Sequence, residues 1–116
     1  MKYLLVLAMA TISPAVFSAP DQWTEKVKIT EIYTGYKEGH FLFKTSGALI
    51  NPAECTDANL YSVEPANADV QSILSLLLAA KMAGTDVKIA ADGSRCGTST
   101  INHLKNKVSV SRVGSF

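Results

Sequence analysis

The chain opens on an apolar run from Tyr3 to Ile12, preceded by Lys2 and closed by Ser13-Pro14 and a small-residue stretch ending at Ala19. About ten apolar residues fall well short of the ~20 that a membrane-crossing helix requires, so the pattern predicts a cleaved secretory leader and no membrane span. A cut after Ser18 is favoured over one after Ala19, because the latter would leave Pro20 next to the scissile bond. Residues 1–18 are thus read as signal peptide, and 19–116 as one domain placed outside the cytosol, secreted or periplasmic.

Beyond the leader the apolar period becomes two. Val27 and Ile29 alternate with Lys26, Lys28 and Thr30, and the phase then slips at Glu31, where Ile32 takes the inward place. The slip predicts a β-bulge in a first strand running from Trp23 to Tyr36, with Glu31 either paired to Lys44 or Lys88 or left in solvent at the bulge. Gly35 to Gly39 predicts a turn into a second strand, His40 to Lys44, in which Phe41 and Phe43 share a face. A turn-rich loop, Ser46 to Asp57, leads to a short third strand, Leu60 to Val63, stopped by Pro65.

From Asn67 or Asp69 as N-cap to Gly84 as C-cap the chain carries no breaker and is rich in Leu and Ala, which predicts its one helix. Val70, Ile73, Leu74, Leu77 and Met82 are joined by Leu76, Leu78, Ala79 and Ala80, so the apolar stripe covers most of the circumference. Such a helix needs more than one covering surface. Ile73, Leu76, Leu77 and Ala80 are the candidate residues of a homo-oligomer interface, the alternative being full burial by the chain's own loops. Val87 to Ala91 predicts a fourth strand, Asp92-Gly93-Ser94 a turn, Ile101 and Leu104 anchors of a loop, and Lys107 to Val113 the last strand. The fold class is mainly β with one helix (α+β), in the order β-β-β-α-β-β of an OB-fold-like five-stranded barrel.

Composition narrows the function. Removing Lys2 with the leader leaves ten basic and ten acidic residues. That balance argues against nucleic acid, which calls for cations concentrated on one face. Cys55 and Cys96 are the only cysteines. With no Cys-x-x-Cys and no Cys/His ligand spacing, they are expected to form a structural disulfide, not a redox or metal site. His40 and His103 stand alone, and no serine sits in a Gly-x-Ser-x-Gly turn, so neither an enzyme nor a cofactor is implied. Exposed aromatic faces beside polar groups suit sugar rings. Tyr33, Tyr36 and Tyr61, with Lys37 and His40 near the same turn, are therefore the candidate ligand-binding residues, while Trp23 is expected to cap the barrel end.

Trp23-Thr24, Ile29 to Gly35, Phe41-Leu42-Phe43, Ala83-Gly84 and Asp86 to Ile89 together resemble the B subunits of subtilase cytotoxin and of typhoid- and pertussis-like toxins. The patches span about two thirds of the mature domain. The resemblance implies an OB-fold subunit that assembles into a ring, binds host glycans and works with a catalytic partner chain. Lys44 follows Phe43 where those subunits tend to have a cysteine, and the glycan-contacting motif is not carried over position by position. The competing expectation is a monomeric periplasmic binding or inhibitor domain.

Overall fold

The computed structural model describes residues 20–116, and the signal-peptide reading and its cleavage site lie outside them. The fold is mainly β with one helix. Its strands are β1 (Gln22–Trp23), β2 (Ile29–Tyr33), β3 (Phe41–Thr45), β4 (Tyr61–Val63), β5 (Val87–Cys96) and β6 (Val108–Ser115), with α1 (Val70–Ala83) between β4 and β5. They form a six-stranded mixed sheet in the order β1-β5-β6-β4-β3-β2, antiparallel except for the parallel pair of β4 and β6.

Six strands replace the five expected, because the first one divides where its partner changes. Trp23 pairs with Ala90 of β5, Val27 bridges Val87 through bonds of 2.8 and 2.9 Å, and from Lys28 onward the backbone turns to Ser46 and then to β3. The register shift between Ile29 and Glu31 is the bulge that the phase slip predicted. Glu31 stands there half in solvent, 3.7 Å from Lys44.

The helix begins at Asp69, whose carboxylate accepts the Ser72 N–H, and ends at Gly84 with φ 66°, where its N–H reaches the Ala80 carbonyl. A Cβ is disfavoured in that left-handed conformation, which is why glycine stops the helix cleanly. Val70, Ile73, Leu77 and Ala80 enter the core with Phe41, Phe43, Tyr61, Val63, Ile89 and Val110. This corrects the proposed interface. Ile73, Leu77 and Ala80 are sealed against the chain's own sheet and are unavailable to another subunit, and Leu76 is half-buried on the flank. The open part of α1 carries Leu78, 44% exposed, and Met82, 89% exposed.

Trp23 lies 43% exposed on β1, paired with the fully buried Ala90 and with the Arg112 guanidinium 5.2 Å from its ring. Asp92-Gly93-Ser94, read as a turn, lies within β5, where the register with β6 shifts between Ala91 and Cys96; the Asp92 carboxylate is bound by the Asn67 amide and the Gly93 N–H donates to Asp21. No helix among the described residues is long and apolar enough to cross a membrane.

Candidate functional site

The outer side of the sheet is not bare. Leu42, Ser62 and Ser109 lie in one paired row across β3, β4 and β6, on the side opposite Phe41 and Phe43, and all three are buried. The loop from Gly97 to Lys107 is anchored by Leu104, which is fully buried, whereas Ile101 is half-buried at its edge. Cys55 and Cys96 are joined at a sequence separation of 41, so the disulfide ties this loop to the Ser46 to Asp57 loop. A second tie runs from the buried Lys107 ammonium to Asp57 (2.8 Å) and to the Asn59 carbonyl.

Two cavities open where these loops meet the β2–β3 connection. The first, of about 290 Å³, is lined by Tyr33, Tyr36, Leu42, Asp57, Asn59, Leu60, Asn102, His103 and Lys107. Tyr33 is 44% exposed, and the Tyr36 ring lies 6.5 Å from the His103 ring, tilted by 37°. Apolar ring faces therefore stand beside a carboxylate, two amides and an ammonium, the combination that holds a ring-shaped polyol by its CH face and reads its hydroxyls.

The second cavity, of about 560 Å³, begins at the very next residues: Lys37, Glu38 and His40 on one wall, Thr98 to Ile101 on the other, and Glu64 to Ala66 at its base. His40 is buried there, its Nδ1 3.2 Å from the Lys37 carbonyl, an arrangement that fixes the turn. At the base lies Glu64, with a side chain only 1% exposed. Its Oε1 accepts the Thr98 N–H (2.8 Å), and its Oε2 accepts both the Arg95 guanidinium and the Thr98 hydroxyl (2.9 Å each). Gly97 is required beside it, since a Cβ there would lie 2.4 Å from the Leu104 carbonyl.

Of the five candidate binding residues, Tyr33 and Tyr36 share the first cavity, and Lys37 and His40 share the second. Tyr61 belongs to neither. It is buried, stacked 5.2 Å from Phe43, and its hydroxyl accepts the Ile50 N–H at 3.0 Å, so it is a core residue, which reaches only a separate cavity of about 240 Å³ with Lys44, Leu49 and Asn59. Burial pushes its phenol above the ordinary value, against the smaller lowering from the Ile50 N–H. A raised folded pKa means that the unfolded chain gives up this proton first, so the stabilisation is complete below about pH 10 and lost as pH rises beyond it. Tyr61→Phe is expected to flatten the fall of the urea midpoint as pH rises above about 10, while costing about 1 kcal/mol at neutral pH through the stranded Ile50 N–H. Equal alkaline slopes in the two proteins would contradict this assignment.

The sequence reading missed Asp57, Asn59, Asn102 and Lys107 as site residues, and Glu64 and Arg95 as its support. Each acquires a role only when the two loops meet. No protein-family model matches the chain, and no curated protein matches it in sequence.

Proposed function

We propose that this chain is an exported, non-catalytic carbohydrate-binding module. The observation that carries the reading is the first cavity, where Tyr33, Tyr36 and His103 supply ring faces beside Asp57, Asn59, Asn102 and Lys107. The Cys55–Cys96 disulfide is in keeping with a location outside the cytosol. On a defined glycan array the oxidised protein is expected to select a small set of glycans. Tyr33→Ala, a change at a half-exposed ring, is expected to weaken them about 10-fold, as loss of one stacking surface does. An array with no bound glycan, or a Tyr33→Ala protein that binds unchanged, would remove the reading.

The architecture proposed with it is an OB-type barrel. β1 and β2 lie at the two ends of the sheet order yet belong to one short segment, Gln22 to Tyr33, and the Val27–Val87 bridge joins that segment to β5. Supporting a rolled sheet, the order along the segment's partners is that of an OB barrel with its first strand split. Amide exchange tests this: a closed barrel protects the Val27 and Val87 N–H groups as strongly as those of Phe43, whereas an open edge leaves them exchanging much faster.

The resemblance to toxin B subunits would add a ring and a catalytic partner chain. A monomeric periplasmic binding or inhibitor domain is the second reading, and the inward burial of Ile73, Leu77 and Ala80 favours it, since only the Leu78 and Met82 side of α1 remains for a neighbour. Light scattering at tens of micromolar separates the two: a ring has a multiple of the monomer mass, and the second reading has one copy.

A further inference from the structure

We infer that the two cavities are adjoining subsites of one groove, so that the ligand is an oligosaccharide longer than a single sugar. The inference rests on the carbohydrate-binding reading of the first cavity and extends it. Along the β2–β3 connection, Tyr36 lines one cavity and Lys37 the other; along the covering loop, Asn102 lines one and Ile101 the other. Both walls thus change cavity between consecutive residues, beside the place where the Tyr36 ring meets that of His103.

The dimensions favour a chain-like ligand. The aromatic cavity, at about 290 Å³, lies near the lower end of small-ligand sites, and its neighbour, at about 560 Å³, lies well inside that range. A sugar seated against Tyr33 and Tyr36 would direct its next unit past that place into a space rimmed by the Lys37 ammonium, the Glu38 carboxylate and the Thr100 hydroxyl. None of these three side-chain groups has a hydrogen-bond partner among the described residues, so each is free to take a sugar hydroxyl.

The buried ion pair at the base is turned to another task. Both oxygens of Glu64 and the hydroxyl of Thr98 are engaged with one another and with Arg95, and the Ser99 hydroxyl accepts the Ile101 N–H. Those residues hold the rim rigid in the unbound protein, which lowers the ordering cost of the second unit's contacts. A unit tethered through the first subsite meets the second at high effective concentration, so even modest contacts there register as added affinity.

The test uses the strongest-binding oligosaccharide of the array and its own fragments, shortened one sugar at a time, titrated calorimetrically against the oxidised protein. Affinity is expected to rise about 10-fold or more from the one-sugar fragment to the longer ones. Lys37→Ala and Thr100→Val, both at exposed positions, are expected to abolish that rise and leave the one-sugar affinity in place, whereas Tyr33→Ala lowers every length. A length-independent affinity that still falls with Tyr33→Ala would overturn the groove and leave the single-sugar site standing. Absence of any saccharide binding would overturn both.

Discussion

Reducing the Cys55–Cys96 bond, or replacing both cysteines by serine, is expected to lower the stability by about 4 kcal/mol, the chain-entropy value for a loop of this length. With the two cysteines at a sequence separation of 41, the bond removes a large share of the freedom of the unfolded chain. A domain of this size holds roughly 5–15 kcal/mol in all, so the reduced protein should unfold at far lower urea and stand close to its melting point at body temperature. Because the bond ties the Gly97 to Lys107 loop, which walls both cavities, to the loop that brings Asp57 to the first, glycan binding should also weaken in conditions where the reduced chain is still folded. Equal urea midpoints with and without reductant would show that the loops are held by other contacts.

Glu64→Ala should be the most damaging single substitution near the site, at about 3 kcal/mol or more. The carboxylate is almost wholly buried and accepts three hydrogen bonds, so its removal strands the Thr98 N–H and a partly buried guanidinium. Arg95 is 28% exposed and recovers some hydration, which keeps the loss toward the lower end of the range for a broken buried pair. Glu64→Gln retains the shape and one acceptor and should cost distinctly less. Urea denaturation of the three proteins decides the matter, and a loss below about 1 kcal/mol for Glu64→Ala would mean that the network is not holding the loop.

Local rules carried the secondary structure well wherever one residue governs one element. Asp69 and Gly84 bound the helix as capping chemistry requires, and the misplaced Glu31 marked a bulge. The same rules were half right at Asp92-Gly93, which reads as a turn and instead bulges within β5, its carboxylate bound by the Asn67 amide twenty-five residues away. Asn67 itself looked like an alternative cap, yet its amide is spent on Asp92, Ser109 and Val110. The width of the helix's apolar stripe was legible, but not which part of it faces inward.

The site was legible in its aromatic half. Tyr33 and Tyr36 follow from strand and turn position, but Tyr61 was chosen on residue type alone, and its place on the Phe43 side of β4 put it in the core. Lys107 looked like one scattered cation among several. Its ammonium finds Asp57 and Asn59 only across about fifty residues of chain, a pairing that no local spacing announces. Alternation along Tyr61-Ser62-Val63 puts Glu64 on the Ser62 side of the strand, which reads as solvent-facing; its burial follows only from the loop that closes over that side.

The position of β6 has a consequence for how the protein is made. The last strand along the chain lies in the middle of the sheet, antiparallel to β5 on one side and parallel to β4 on the other. Until it arrives, β3 and β4 reach β5 only the long way round, through β2 and the Val27–Val87 bridge, and its Val108 must find Tyr61 across the long intervening stretch. Contacts so distant in sequence slow folding. The sheet would therefore stay loose until β6 has been made, and the thiols of Cys55 and Cys96 would first meet in that pliant state.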